Sequence, residues 1–387
     1  MKARPAAALA LAAGALLAGC GSTAPAASGP APEAPPGGTP FLATSLATAA
    51  GTWAVVVMGG SVANENNFWQ LFARPAGSST WKLVTPPGTA DNGGLVLAGD
   101  GAQSLITGFR PSQYLTYTPL TLTRDGGQAW SSTGPLDGAL ANVPDALAAE
   151  PGTGTLLALT TGGTAEQAAP GYTTWTTLAT KRSLAAMPAG QRCGLQDLTA
   201  TAFAPPSTPL LGGTCSHPGT VPIFARTAGT WHAAGPAGPA ALAGQDITVT
   251  RLTQTGPGLA ALLTAGTGPA ASVLAAWSAD GGAHWTLSPP LSLHGAALAS
   301  ASFGADGTAA VITAARHGEI AASTGSSWRS LPALPPGTAT LAPGPDGTAD
   351  ALAVNRGTLT VWRLAPAATA WTRVQVIKVP IQYGSSS

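Results

Sequence analysis

Charged residues are scarce in this chain. Only 9% of its 387 residues are Asp, Glu, Lys or Arg, against about 25% in an ordinary soluble domain. The 17 basic and 16 acidic residues give a net charge of +1, so the sequence lacks the basic surface that nucleic-acid binding requires. No nucleic-acid partner is therefore expected. With 45% hydrophobic residues and 11 Trp, most of the chain can bury a core and is not expected to be disordered.

Local catalytic and metal-binding motifs are missing as well. The sequence contains no G-x-S-x-G, G-x-x-x-x-G-K, C-x-x-C or H-E-x-x-H pattern. Its five His residues are far apart, so no two of them form a local pair of metal ligands. No catalytic residue, metal site or cofactor is predicted. The 50 Gly and 35 Pro residues disfavour long helices, because both residue types destabilise helix interiors.

The N-terminal residues form a targeting segment. Basic residues in the first four positions precede the uncharged apolar stretch 6–17, which is shorter than the roughly 20 residues that span a bilayer as a helix. The pattern predicts a cleaved secretory signal at 1–19. It ends in Leu17-Ala18-Gly19-Cys20, which resembles the lipobox of bacterial lipoproteins. The resemblance implies that Cys20 is lipidated and anchors the mature protein to the cell membrane or envelope on its extracytoplasmic side. An ordinary cleavage site with an incidental cysteine is the alternative.

The segment at residues 20–40 is rich in Pro, Ala and Gly and carries a single charge, Glu33. Such a composition cannot bury a core and favours a semi-extended linker. We expect a tether that separates the lipid anchor from a folded domain.

Two segments of eight residues nearly repeat one another. TRDGGQAW at 123–130 and SADGGAHW at 278–285 share the pattern S/T-x-D-G-G-x-x-W, which resembles the Asp-box, or bacterial neuraminidase (BNR) repeat. The resemblance implies a tight hairpin between the two outer strands of a β-propeller blade. The residue types agree with this role, since Asp accepts hydrogen bonds from turn amides and Gly permits positive φ. The residues expected to be structural are Thr123, Asp125, Gly127, Trp130, Ser278, Asp280, Gly282 and Trp285.

Seven tryptophans recur along the chain after turns of small residues. Their spacings of 43 to 56 residues are close to the 40–50 residues typical of propeller blades, and a hairpin signal between two apolar runs precedes each one. The pattern predicts an all-β fold over 41–384, a seven-bladed β-propeller with four antiparallel strands per blade, and a tail at 385–387. Six or eight blades, or a parallel β-helix, are the alternatives. The seven tryptophans are Trp81, Trp130, Trp175, Trp231, Trp285, Trp328 and Trp371.

The chain has three cysteines. If Cys20 carries lipid, Cys193 and Cys215 remain as an even pair in an oxidising compartment. In the blade interpretation the residues between them form an up-and-down hairpin, which returns the chain to the same side. We therefore predict a disulfide, with two unpaired buried cysteines as the alternative.

The loops expected on the face opposite the Asp-boxes carry many of the chain's few charged and polar side chains. Binding residues usually lie on loops that a rigid scaffold holds in place, so this face is the predicted ligand face. A solubilising role for the same residues is the alternative. The candidate ligand-face residues are Asn64, Glu65, Arg110, Tyr114, Glu166, Arg316, Glu319 and Arg356.

A resemblance to Asp-box propellers does not decide function, because one fold hosts many functions. The family includes sialidases, receptors and photosystem II assembly factors. For a sialidase, the resemblance would require the motif Phe/Tyr-Arg-Ile-Pro near the start of the domain. Here Phe109-Arg110-Pro111 lacks the Ile and lies in the second repeat. We expect a non-enzymatic binding or scaffold module, monomeric, for a protein or glycan ligand. A sialidase-like glycoside hydrolase and an assembly factor are the alternatives.

Overall fold

The structure is a computed structural model, and it describes residues 43–59, 67–87, 95–99, 104–109, 120–132, 144–160, 162–242, 244–256, 258–323 and 327–380. The regular structure in these residues is almost entirely β-strand. Consecutive strands pair antiparallel in groups of four. Each group is called a blade here and is numbered in chain order.

The strand bounds follow the predicted repeat. Blade 1 contains β1 (Thr44–Thr48), β2 (Gly51–Gly59), β3 (Asn67–Pro75) and β4 (Lys82–Leu83), and blade 2 contains β5 (Leu95–Gly99), β6 (Leu105–Phe109), β7 (Leu120–Thr123) and β8 (Ser131–Ser132). Blade 3 contains β9 (Ala146–Ala149), β10 (Leu156–Thr160), β11 (Thr164–Ala168) and β12 (Thr176–Thr180), and blade 4 contains β13 (Leu195–Ala204), β14 (Thr208–Cys215), β15 (Ile223–Thr227) and β16 (Thr230–Ala233). Blade 5 contains β17 (Ile247–Thr255), β18 (Gly258–Ala265), β19 (Ser272–Ser278) and a divided outer strand, β20 (Thr286–Leu287) and β21 (Leu291–Ser292). Blade 6 contains β22 (Leu298–Phe303), β23 (Ala309–Thr313), β24 (Gly318–Ala321) and β25 (Arg329–Ser330), and blade 7 contains β26 (Thr338–Pro343), β27 (Ala349–Asn355), β28 (Thr358–Leu364) and β29 (Thr372–Lys378).

The middle strands of blade 5 are apolar on both faces. Every residue of β19 is buried, and so is nearly every residue of β18. A strand that packs against other layers on both sides is expected to show a continuous apolar run rather than alternation. Many of these positions are Ala, whose small side chain lets neighbouring blades approach closely.

The hydrophobic core is divided among the interfaces between neighbouring blades. Ala202 of blade 4, for example, belongs to the same cluster as Val249 of blade 5. Within the described ranges there are seven such clusters, and one of them joins Phe72 of blade 1 to Leu352 of blade 7. The first and last blades are therefore in contact, and the blades form a closed ring. The predicted all-β propeller is confirmed.

Each repeat tryptophan lies directly before or within the outer strand of its blade, as predicted. The indole Nε1 of Trp130 donates to the carbonyl of Val84 (3.0 Å), and that of Trp285 donates to the carbonyl of Ala234 (2.8 Å). Both acceptors directly follow the outer strand of the preceding blade, so the indoles link neighbouring blades as well as covering their own hairpins. The same type of bond to a preceding blade is made by Trp231, Trp328 and Trp371.

Near the ring axis, the first strand also contacts blades 6 and 7. Leu46 of β1 pairs in parallel with Phe303 of β22. The hydroxyl of Thr44 donates to the carbonyl of Ala301 (2.6 Å), and the hydroxyl of Ser45 donates to that of Leu341 in β26 (3.0 Å). These buried bonds satisfy polar groups that would otherwise destabilise the ring interior.

Blades 1 and 7 are also joined by a buried ionic network, called the closure network here. Asp350 of β27 is 1% exposed. Its carboxylate accepts hydrogen bonds from Arg74 Nη1 at 2.7 Å and from Arg363 Nε at 2.7 Å. Trp81 Nε1 donates to the same carboxylate at 2.9 Å. The hydrogen bond with Asp350 raises the pKa of the Arg363 guanidinium above its usual value. A single carboxylate of blade 7 thus holds two groups of blade 1 and one of its own blade.

Two short helices between blades 3 and 4 were not predicted. Helix α1 (Lys181–Ala185) begins with a capping box between Thr180 and Ser183, and helix α2 (Pro188–Cys193) ends at Gly194 in the left-handed region with φ of 63°. Thr or Ser at an N-cap, Pro at the first helical position and Gly after the last are standard helix-end signals. The high Gly and Pro content of the chain concealed these local signals.

The predicted disulfide is present. Cys193, at the end of α2, is bonded to Cys215, at the end of β14, with 5.1 Å between their Cα atoms. Both residues are buried in the cluster between blades 3 and 4. The bond therefore ties the helical segment to the first hairpin of blade 4.

Candidate functional site

The first Asp-box forms the predicted hairpin turn between β7 and β8. Thr123 Oγ1 donates to Asp125 Oδ1 (2.8 Å), and the amides of Gln128 and Ala129 donate to the same oxygen at 2.9 and 3.0 Å. The bonds, chiefly that from the amide of Ala129, lower the pKa of the Asp125 carboxyl. Gly127 has φ of 87°, and a Cβ there would lie 2.6 Å from Cβ of Val84. Glycine is thus required both by the backbone conformation and by the approach of the preceding blade.

The second Asp-box repeats this geometry between β19 and β20. Ser278 Oγ donates to Asp280 Oδ1 (2.9 Å), the amide of Gly282 donates to Ser278 Oγ (2.8 Å), and the amide of His284 donates to Asp280 Oδ1 (2.8 Å). The second carboxylate oxygen lies 2.6 Å from His284 Nδ1. The pKa of Asp280 is well below its usual range, chiefly because of the backbone bond from His284. In both boxes the aspartate is occupied by bonds within its own turn.

Replacing Asp125 or Asp280 by Ala should lower the melting temperature by a few degrees, because several turn amides lose their acceptor. Both carboxyls have a lowered pKa when folded, so their stabilisation is present at neutral pH and is lost as the pH falls through that lowered pKa. Thermal unfolding between neutral and acidic pH measures both effects. Arg124→Ala, an exposed change in the same turn, is the matched control. A variant that keeps its melting temperature but loses ligand binding would show that the boxes are binding sites.

The candidate ligand-face residues are distributed over several blades. Arg316 and Arg356 are exposed in the turns β23–β24 and β27–β28 of the adjacent blades 6 and 7. Both have positive φ, 63° and 41° respectively, which is uncommon for residues other than glycine. These two turns lie on the same face of the propeller, because each joins a second strand to a third strand. The residues Asn64, Glu65, Arg110 and Tyr114 lie outside the described residues.

The two glutamates of the predicted face lie in strands and not in the loops where the sequence placed them. Glu166 is buried in the middle of β11, where Thr177 Oγ1 lies 3.5 Å from its Oε1. Glu319 lies in β24 and accepts a hydrogen bond from Ser330 Oγ (2.7 Å). Each carboxylate accepts a hydrogen bond from the neighbouring outer strand of its own blade. Glu166 is therefore not presented at the loop surface.

A cavity of about 450 Å³ lies on the ring axis. It is lined by the last residues of the innermost strands β1, β5, β9, β13 and β17 and by Ala305 after β22. These strand ends lead into the first-to-second turns, so the cavity is on the same face as the Asp-boxes. Its volume is within the 300–1,000 Å³ of ordinary small-molecule sites. Sequence reasoning did not identify this cavity, because its lining comes from six blades and has no local pattern.

A smaller cavity of about 100 Å³ continues the axial space toward the other face. The two cavities share four lining residues, which are Leu97, Leu147, Thr201 and Leu252. The smaller one is lined also by Arg251 of β17. Part of Arg251 faces the cavity, while burial lowers the pKa of its guanidinium to about 10. The two cavities together are called the axial channel here.

Two further observations concern the described part of the chain. No group of three or more His, Cys, Asp or Glu side chains there is placed to hold a metal ion. None of the helices in it has the length and apolar character that crossing a membrane would need.

Comparisons with known proteins identify the fold. No family model matches the chain, and no curated protein matches it. A solved protein from Lactobacillus plantarum is 13% identical over 85% of this chain and 96% of that chain, with a TM-score of 0.54. A Bacteroides uniformis protein described as a candidate 6-phosphogluconolactonase is 16% identical over 84% and 96%, with a TM-score of 0.51. YCF48 bound to D1 peptide is 15% identical over 81% and 90%, with a TM-score of 0.46. At such identities the first two likenesses support the β-propeller class and no particular activity.

Proposed function

We propose that this protein is an extracytoplasmic lipoprotein whose propeller acts as a non-enzymatic binding module for a protein or glycan. The observation that carries the location is the Cys193–Cys215 disulfide, because such bonds persist in oxidising compartments and are rare in the cytosol. The lipobox-like sequence ending at Cys20 and the tether at 20–40 agree with an anchor on the outer side of the membrane.

The binding role is supported by the turns on the face opposite the Asp-boxes. Arg316 and Arg356 both have positive φ in second-to-third turns of adjacent blades, and both are exposed. A backbone conformation that disfavours a side chain is retained most readily where that side chain has a task. Two guanidinium groups on neighbouring turns suit acidic groups of a partner, since Arg pairs with carboxylates in a bidentate manner.

The test compares the full-length wild type with Cys20→Ala and with the double variant Arg316→Ala/Arg356→Ala. We expect wild type in the membrane fraction and Cys20→Ala in the soluble extracytoplasmic fraction. On a glycan array and in crosslinking on intact cells, the double variant should lose at least tenfold in binding at an unchanged melting temperature. That pattern assigns the loss to the binding face, because exposed arginines contribute little to folding.

Arg329→Ala/Arg373→Ala, which removes two arginines from the outer strands β25 and β29, is the matched control and should bind as the wild type does. If the Cys20→Ala variant remained in the membrane fraction, the proposal of a lipid anchor at Cys20 would be wrong. Equal binding by both double variants would contradict the proposal that the ligand binds at the face opposite the Asp-boxes. Turnover of a fluorogenic sialoside by the wild type would instead establish the glycosidase alternative.

A further inference from the structure

The axial channel is lined by a cationic side chain, Arg251, that has no hydrogen-bond or ion-pair partner among the described residues. Arg251 lies just after a bulge, where the register between β17 and β18 shifts. Burial is the only influence on the pKa of its guanidinium, and no hydrogen bond or neighbouring charge offsets it among the described residues. Asp145 lines the same small cavity, and its charge does not raise that pKa. A buried charge without a partner costs free energy that an incoming anion would recover.

Two residues that line the channel also carry a side-chain polar atom that is buried without a hydrogen-bond partner in the described part of the chain. The two atoms are Thr201 Oγ1 and Gln254 Oε1. Thr201 lines both cavities, whereas Gln254 lines the larger one. A hydroxyl can donate to a carboxylate, and an amide oxygen accepts from an N–H or O–H group. Buried polar atoms are usually paired, and unpaired ones indicate a missing partner. The residues along the channel thus include, in succession, a cation, a hydroxyl donor and an amide acceptor.

More of the larger cavity's surface is apolar than polar, and further Thr side chains share the lining. Leu46, Leu97, Leu147, Phe203 and Leu252 contribute to its lining. A few polar groups in an otherwise apolar cavity of this size are the usual composition of a small-molecule site. The apolar lining favours a ligand with a short hydrocarbon part.

We propose that the axial channel binds a small organic carboxylate. The carboxylate pairs with Arg251 and accepts from Thr201, the hydrocarbon part fills the larger cavity, and a hydroxyl or amide group on the ligand donates to Gln254. A monoanion fits better than a phosphate dianion, because a single Arg supplies the positive charge and Asp145 lines the same end. This site is separate from the Arg316 and Arg356 turns, so it does not depend on the function proposed above.

The same carboxylate chemistry could be presented by a free acid or by the C-terminus of a peptide that enters through the larger cavity. The test measures binding to the purified mature protein by calorimetry and by the ligand-induced change in melting temperature. The probes are hexanoate, 6-hydroxyhexanoate, 1-hexanol, and the dipeptide N-acetyl-Ala-Leu with its C-terminal amide. Both carboxylate types support the site, and the tighter one identifies the source. The alcohol and the amide should bind at least tenfold more weakly.

Two variants separate binding from folding. Arg251→Met should lose at least tenfold in carboxylate affinity and should melt at the same or a higher temperature than the wild type without ligand, because an unpaired buried charge is removed. Thr201→Val should weaken binding several-fold without lowering the melting temperature. Arg329→Met, on the outer strand β25, is the control and should change neither.

Several results would overturn the site. One is the absence of carboxylate-dependent binding in the wild type, and another is undiminished binding by Arg251→Met. A large drop in melting temperature, or failure to fold, in Arg251→Met would show that Arg251 has a structural role in the ring. Each of these outcomes excludes the proposal on its own.

Discussion

Asp350→Ala should lower the free energy of unfolding by about 3–5 kcal/mol, the cost observed when one partner of a buried ion pair is removed. The change leaves the guanidinium groups of Arg74 and Arg363 and the indole N–H of Trp81 without their shared acceptor. Urea unfolding followed by tryptophan fluorescence measures the difference. The loss should be accompanied by early exposure of blades 1 and 7, since their interface contains the network.

The size of this effect follows from the position of Asp350 in the ring. The described strands of each blade come from one continuous stretch of chain, so the described contacts between blades 1 and 7 are side-chain packing and side-chain bonds. Arg74 also lies over the ring of Trp81, with its Cζ 5.4 Å from the ring centroid, which is within the range of a cation–π contact. Gln375 further bonds both the amide and the carbonyl of Trp81, each at 2.8 Å. Removing Asp350 disrupts the centre of this interface.

Asp197→Ala is the matched control for Asp350→Ala. Asp197 pairs with Lys181 at 3.6 Å, and both side chains are about 40% exposed. Exposed pairs of this kind contribute below about 1 kcal/mol. Equal losses in the two variants would contradict a special role for the closure network. A loss in Asp350→Ala that is below about 1 kcal/mol would do the same.

The features predicted correctly from the sequence are those encoded within a few residues. The Asp-box turns, the tryptophans before the outer strands and the hairpin turns each have a local pattern, because hydrogen bonds such as Thr123 to Asp125 join residues two positions apart. The Cys193–Cys215 bond could be predicted because the blade repeat determined how many times the chain reversed between them. Local patterns repeated along the chain thus determined the fold class.

The features missed by the sequence depend on contacts between distant residues. Arg74 and Asp350 are separated by 276 positions, and Trp81 and Asp350 by 269, so no spacing could have related them. The parallel pairing of Leu46 with Phe303 follows from the closing of the ring. The position of Arg251 could not be predicted, because a single Arg in a Thr-rich strand forms no motif. Glu166 was misplaced because a charged residue was assumed to lie in a loop.

Replacing both cysteines, Cys193→Ala/Cys215→Ala, should lower the free energy of unfolding by roughly 3 kcal/mol or more. In the chain-entropy description, closing a loop of 22 residues stabilises by about 3 kcal/mol at room temperature. The loss of two buried sulfur atoms adds to this, because both cysteines pack in the cluster with Leu184 and Trp231. Urea unfolding of the wild type and the double variant measures the difference, and adding a reductant to the wild type should reproduce most of it.

The location of the disulfide predicts where this destabilisation appears first. Helices α1 and α2 have five and six residues and are too short to be stable alone. Hydrogen exchange should therefore increase most in 181–193 and at the end of β14, while the Asp350 side of the ring stays protected. Cys20→Ala is the control, since Cys20 lies outside the propeller, and it should unfold as the wild type does. Two free thiols in unreduced, denatured mature protein, or a double variant as stable as the wild type, would rule out a stabilising Cys193–Cys215 bond.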